Sequence, residues 1–235
     1  MAINQKFILS LVDLTSLNVT DTPSQITLLC DKAMSLKTAA VCVYPQFVNL
    51  AAIALKKTSI KIATVANFPQ GIDSLEVVIS VIQKALDQGA DEIDVVFPYT
   101  WYLSWKKQQA LDLISACKKV CESPKILKVI LETGILVDPK IIESAARDVL
   151  LAGADFLKTS TGKVSIGATL SAAEIMLTMI KKHKPTAGFK AAGGVRTFEQ
   201  AMQYITLAEK IMGKNFVIPE HFRIGASQLV VADAK

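Results

Sequence analysis

Residues 153–169 read GADFLKTSTGKVSIGAT, with Lys158 and Lys163 five positions apart among small hydroxylated residues and glycine. Two chemistries use lysine in such company. One is phosphate cradling by a nucleotide loop, G-x-x-x-x-G-K-[ST]. That pattern fails here, because Leu157 stands at the first glycine and Val164 at the hydroxyl position. The turn at Gly162 can still offer backbone N–H groups to a phosphate, with Lys163 as a point charge. The other chemistry is nucleophilic. A neutral amine attacks a carbonyl and forms a Schiff base, an electron sink for making or breaking carbon–carbon bonds. A free lysine has a pKa of about 10.4, so fewer than roughly one in a thousand is neutral at pH 7. Burial and a second cation nearby both disfavour the ammonium. A lysine used this way needs a closed interior, another lysine and a carboxylate.

The chain carries a regular alternation that can build such an interior. Strand-like apolar runs recur at about 7–14, 39–45, 60–68, 91–97, 126–132, 154–160, 187–192 and 222–226, with segments of helical period between them. Thr22 and Pro23 open one helix, with Ile26, Leu29, Ala33 and Leu36 along one face. Asp138 and Pro139 open another over Ile141, Ile142, Ala145 and Val149. Ser171…Glu174 and Thr197…Gln200 have capping-box spacing. Eight strand–helix units in 235 residues predict an α/β fold, a (β/α)8 TIM barrel, as a single domain spanning residues 1–235. The rival doubly wound sheet would place G-x-G-x-x-G after the first strand, where none occurs.

Two segments echo each other. QGADEIDVVFP (88–98) and AGADFLKTSTG (152–162) each end a helix with Gly and begin a strand with Ala-Asp. A shared register sets Asp94 and Lys158 at equal height on strands 4 and 6, and alternate strands feed one interior layer of a barrel. With Ile93, Val95 and Phe97 outward, Glu92 and Asp94 point inward. The same alternation turns Lys128 and Glu132 inward on strand 5 and Lys190 on strand 7, while Asp13 ends strand 1. The plainer alternatives are stabilising ion pairs, or a slipped register that sends these groups to solvent. Several charges converge near the C-terminal strand ends, where barrels of this class hold their active sites, which favours a reaction chamber. Lys158 is then the candidate nucleophile, Lys190 the cation that lowers its proton affinity and carries protons, and Asp94 the acid/base partner. The turns AAGGVRT (191–197) and IGAS (224–227) occupy the usual phosphate site of such barrels, beside Gly162 and Lys163. Arg196 is expected to begin the following helix.

Composition narrows the classes. Half the residues are apolar (51%) and 20% are charged, which suits a folded core. The net charge of +5 comes almost wholly from scattered lysines, with Arg147, Arg196 and Arg223 the only arginines, so nucleic acid is not an expected partner. No apolar run reaches the length of about 18 residues that spans a membrane. FILSLVDL is too short for a signal core, and Asp13 interrupts it, so a cytoplasmic location is expected. Cys30, Cys42, Cys117 and Cys121 form no C-x-x-C pair and read as buried thiols, which fits a reducing compartment. No metal cluster and no cofactor are expected.

The blocks DEIDVVFPY (91–99), DFLKTSTGKV (155–164), GFKAAGGVRT (188–197) and RIGAS (223–227) resemble the deoxyribose-phosphate aldolase family. VDLTSLN (12–18), AAVCVYPQF (39–47), IATVANFPQG (62–71) and LKVILETG (127–134) extend the resemblance along nearly the whole chain in order. It implies a class I aldolase that reversibly cleaves 2-deoxy-D-ribose 5-phosphate to acetaldehyde and D-glyceraldehyde 3-phosphate in deoxyribonucleotide catabolism. It further implies Lys158 as Schiff-base lysine and Asp94 with Lys190 as proton donor and acceptor. Gly162, Lys163, Gly193, Gly194, Gly225 and Ser227 would bind the phosphate, and Asp13 and Thr15 would line the sugar end. Family analogy also suggests a homodimer. Ala191 stands where members often have proline and Gln228 where a second serine is common, which puts one phosphate hydrogen bond in question. The chain stops soon after the last predicted strand, so no contribution from a longer C-terminal tail is expected.

Overall fold

A computed structural model describes residues 4–229, so the C-terminal residues 230–235 lie outside the described residues. Eight parallel strands close in sequence order into a barrel. They are β1 (Val12–Thr15), β2 (Ala40–Val43), β3 (Lys61–Ala66), β4 (Glu92–Val96), β5 (Ile126–Ile130), β6 (Phe156–Lys158), β7 (Gly188–Ala192) and β8 (Phe222–Ala226). Closure is made by β8 against β1, with Asp13 opposite Gly225. The (β/α)8 architecture read from the sequence is the one observed. Among the described residues, seven helices of eight residues or more cover the outside: Pro23–Leu36, Val48–Leu55, Leu75–Asp87, Lys107–Val120, Pro139–Leu151, Leu170–His183 and Phe198–Met212.

The strands are buried on both faces, as parallel sheets require. Ile93 and Val95, Leu127 and Val129, Leu157, Phe189, Phe222 and Ile224 join one continuous apolar core with the inner faces of the helices. Each such side chain contributes about 1.5–3 kcal/mol on burial. Helix boundaries follow local chemistry. Thr22 and Thr197 each complete a capping box with the glutamine three residues on, and Asp138 accepts the Lys140 N–H. Gly89 and Gly153, the two helix stops in the echoing segments, both have positive φ, +105° and +110°.

Two local expectations are corrected. The first strand does not begin at residue 7, because Gln5–Leu9 is a helix capped by Asn4, whose side chain accepts the Phe7 N–H. This cap draws Ile8 into the core, packing the short helix on Phe198–Met212. The capping box at Ser171 and Glu174 does not form either. Thr169 is extended and its hydroxyl accepts the Ala172 N–H, so the helix starts at Leu170 and Ser171 falls within its first turn. All four cysteines are buried and unpaired. Among the described residues no helix is long and apolar enough to cross a membrane.

Candidate active site

Strand register brings the inward charges together. Lys158 is the neighbour of Lys190 across β6 and β7, and Asp94 of Lys128 across β4 and β5. The Asp94 carboxylate is the hub. Its Oδ2 accepts from Lys158 Nζ at 2.7 Å and from Lys190 Nζ at 2.8 Å, while its Oδ1 accepts from Lys128 Nζ at 2.8 Å. Lys190 also donates to Asp13 Oδ2 at 2.5 Å, and Lys128 to Glu92 Oε2 at 2.5 Å.

These contacts pull the amines in opposite directions. Burial lowers the proton affinity of Lys158, and the Lys190 charge lowers it further. The Asp94 carboxylate opposes both without overcoming them, so its pKa lies below the ordinary lysine value. Burial acts the same way on Lys190 but is outweighed by Asp13 and Asp94, which raise its pKa and keep it an ammonium. Burial alone would favour the neutral acid at Asp94, yet Lys128, Lys158 and Lys190 hold it well below the usual carboxylate range. One amine holds its proton less tightly than an ordinary lysine, beside one that holds it more tightly.

A cleft of about 290 Å³ opens above this cluster at the C-terminal strand ends. Of the three interior lysines only Lys158 lines it; Asp94 and Lys190 lie beneath, both fully buried. The rest of the wall comes from four segments at or just beyond strand ends, at residues 15–18, 161–163, 192–196 and 225–227. Thr15, Gly162, Lys163, Gly193, Gly194, Gly225 and Ser227 therefore all reach one cavity. Gly194 has φ +88° and a Cβ there would meet nothing within 4 Å, so its backbone faces open space. Gly225 answers a different constraint. A Cβ there would fall 2.9 Å from Ala192 Cβ and 3.2 Å from Lys190 Cε, so its lack of a side chain lets Lys190 pass. Lys163 is fixed at the rim, its Nζ donating to the Leu17 carbonyl at 2.6 Å.

Three placements differ from the sequence reading. Asp13 does not line the cleft. The β1–β8 register sinks it beneath, where it accepts from Lys190 and from Arg223 Nη1 at 2.6 Å. Glu132 is buried beyond the end of β5 and accepts from the Thr161 hydroxyl at 2.5 Å instead of joining the lysines. Arg196 lies before the helix and lines the cleft, its N–H donating to Gln200 Oε1 at 2.8 Å. Sequence reasoning also missed two positions. Asn18 joins the wall through a loop tied to Asp21 by its backbone and side-chain N–H groups. Arg223 enters the charged interior, as its place between outward Phe222 and Ile224 could have signalled.

Comparison with known proteins bears on the fold and the family. Residues 7–222 match the family model described as DeoC/LacD family aldolase. Among solved structures, a Coccidioides immitis protein provisionally assigned as a deoxyribose-phosphate aldolase is 31% identical, with TM-score 0.86 over 95% of this chain and 83% of its own. QR15, described as an aldolase, is 28% identical with TM-score 0.81, covering 94% of this chain and 91% of its own. The deoxyribose phosphate aldolase of Aeropyrum pernix, described as having a unique tetrameric structure, is 24% identical with TM-score 0.79, over 95% and 88% of the two chains. At that identity the likeness is one of fold.

Proposed function

This chain belongs to the DeoC/LacD aldolase family, and from that premise we propose that it cleaves 2-deoxy-D-ribose 5-phosphate reversibly through a Schiff base on Lys158. The observation that carries the reading is the placement of Lys158, among the described residues the one interior lysine open to the cleft, with its amine 2.7 Å from the Asp94 carboxylate that also binds Lys190.

In the proposed reaction the Lys158 amine attacks the C1 aldehyde of the open-chain sugar. The resulting carbinolamine loses water to become an iminium. Lys190, kept charged by Asp13 and Asp94, supplies the proton that lets the hydroxyl leave. Asp94 is a weak base while three ammonium groups surround it. When Lys190 gives its proton to the departing hydroxyl its own charge is lost, so the Asp94–Lys190 pair becomes the base even though the iminium restores a charge at Lys158. The Asp94–Lys190 pair then accepts the C3 hydroxyl proton as the C2–C3 bond breaks, its electron pair moving through C2 toward the iminium nitrogen. D-Glyceraldehyde 3-phosphate departs and leaves an enamine. Protonation at C2 and hydrolysis release acetaldehyde and restore the amine.

The phosphate would sit where the loops after β6, β7 and β8 meet, held by backbone N–H groups at Gly162, Gly193, Gly194 and Gly225, the Ser227 hydroxyl and the charge on Lys163. Thr15 would line the sugar end. Reduction with borohydride in the presence of acetaldehyde tests the assignment. It should leave one ethyl group, on Lys158, located by peptide mapping. Label on Lys163, Lys128 or Lys190 instead, or no label, would overturn it.

A further inference from the structure

Beneath Lys158 the barrel holds more charge than an amine and its proton partner require. Four cations, from β5, β6, β7 and β8, face three carboxylates, from β1 and β4. Three of the cations each bind at least two carboxylates, Lys128 also lying 3.8 Å from Asp13. Arg223 reaches Asp13 Oδ1 at 2.6 Å and Glu92 Oε1 at 2.8 Å, and its Nε donates to the Pro219 carbonyl. Lys128 bridges Glu92 and Asp94, and Lys190 bridges Asp13 and Asp94. Lys158 has one ion pair among the described residues, through the Asp94 oxygen it shares with Lys190. An interior with little water does not tolerate uncompensated charge. Within this ion-paired cluster three cations balance three carboxylates, and the fourth is surplus. The other buried carboxyl near Lys158, Glu132, forms no ion pair among the described residues: it accepts from the Thr161 hydroxyl and N–H, and burial raises its pKa toward the neutral acid.

We infer that Arg223 and Glu92, neither of which lines the cleft, are positioning residues for the reaction: their pairing completes the interior charge count and leaves Lys158 as the one amine without a carboxylate of its own. This inference rests on Lys158 being the Schiff-base lysine. The ionisable groups that act on Lys158 directly are Asp94 on β4, Lys190 on β7, Cys42 on β2 and Glu132 after β5. None of them is altered in the variants that test the inference.

The test is the pH dependence of reductive trapping of acetaldehyde on Lys158, read as the midpoint of the rise in rate with pH. Arg223→Met leaves three cations, Lys158 included, facing three carboxylates. The Lys158 proton then completes the balance and is held more tightly, so the midpoint moves up by about one pH unit, with trapping about tenfold slower at pH 7. Glu92→Gln has the opposite sign, moving the midpoint down. The double variant restores a surplus of one, three cations against two carboxylates, and its midpoint returns to the parent value. Arg223→Lys keeps the charge and keeps the parent midpoint. Midpoints that ignore both single substitutions, that move the same way in both, or that fail to return in the double variant would overturn the inference. Should Arg223→Met fail to fold, Glu92→Gln decides alone: a downward shift supports the inference and any other result overturns it. Absence of Lys158 label in the parent enzyme would overturn the aldolase reading and this inference with it. A labelled Lys158 whose midpoint ignores the substitutions overturns this inference alone.

Discussion

Successive residues of the same strands build two unlike regions. Outside the barrel, Ile93, Leu127, Leu157, Phe189 and Phe222 pack under helices in a continuous apolar layer. Inside, one residue along, stand Asp94, Lys128, Lys158, Lys190 and Arg223, all buried and held by ion pairs of 2.5–2.8 Å. The outer layer gains free energy from every side chain it hides. In the inner cluster, removing each ion from water costs several kcal/mol, which only close pairing offsets. Along β2 and β3, Cys42, Ala63 and Val65 form a small apolar group with Leu17, so the interior charges come from the other six strands. The difference separates two jobs: the outer layer holds the fold, and the inner sector adjusts how readily one amine gives up its proton.

Substitution can split those jobs. The largest effect on catalysis is expected for Lys158→Met, which removes the proposed nucleophile and should lower kcat/KM by about 10⁴-fold or more. Because the remaining three cations still balance three carboxylates, the melting temperature should hold or rise. A cooperative loss of structure would show that Lys158 is an indispensable ion-pair partner. Lys190→Leu comes next, with an expected loss of about 10²–10⁴-fold at pH 7. The sign follows from electrostatics. Without the neighbouring cation, Lys158 holds its proton to higher pH, so less neutral amine is present at pH 7, and activity should recover partly as pH rises. An unchanged pH–rate profile would reduce Lys190 to a structural role.

The outer layer and the inner sector were legible in the sequence to different degrees. Strand alternation exposed both faces of β4, β5 and β7, and the repeated Gly-Ala-Asp set Asp94 and Lys158 at one height, which their 2.7 Å contact matches. β6 was legible through that echo, though it is only three residues long. The inward charges of the strands grouped Asp13 with the interior lysines, which its contact with Lys190 matches, whereas the family resemblance set it at the sugar end; its depth depends on how β1 meets β8, a pairing across more than 200 residues that local pattern does not specify. Arg223 escaped because RIGAS reads as a phosphate turn, although the same alternation turns its first residue inward. Asn18 and Arg196 reach the cleft through loop shapes fixed by Asp21 and Gln200, and such shapes follow side-chain hydrogen bonds more than periodicity.

At the cleft, Gly194→Val separates phosphate binding from imine chemistry. Its side chain would enter the open space beside the loops, at the cost of about 1–2 kcal/mol for a branched residue at positive φ. Charge-assisted hydrogen bonds contribute about 1.5–3 kcal/mol each, so losing one or two should lower kcat/KM for the phosphorylated sugar by about 10²-fold. Bare 2-deoxyribose, expected to be a poorer substrate of the parent protein, should lose little more, and acetaldehyde trapping should persist. Equal losses for both sugars would place the phosphate elsewhere.

The smallest catalytic effect is expected where the stability effect is large. Leu177 is fully buried on the helix Leu170–His183, in the layer between helices and barrel. Leu177→Ala removes apolar atoms that the surroundings replace only in part, which costs about 2–5 kcal/mol. In a chain of this size that corresponds to a fall in melting temperature of roughly 5–15 °C. Well below that temperature the folded fraction stays near unity, because domains carry about 5–15 kcal/mol of stability. The interior ion pairs do not include this residue, so kcat and the pH midpoint should stay within about twofold of the parent, as expected for sites that share no partners. Calorimetry and a pH–rate profile on the same preparation check both halves. If the midpoint moved with the melting temperature, the outer layer would be setting the charge balance of the inner one, and the two regions would act as a single unit.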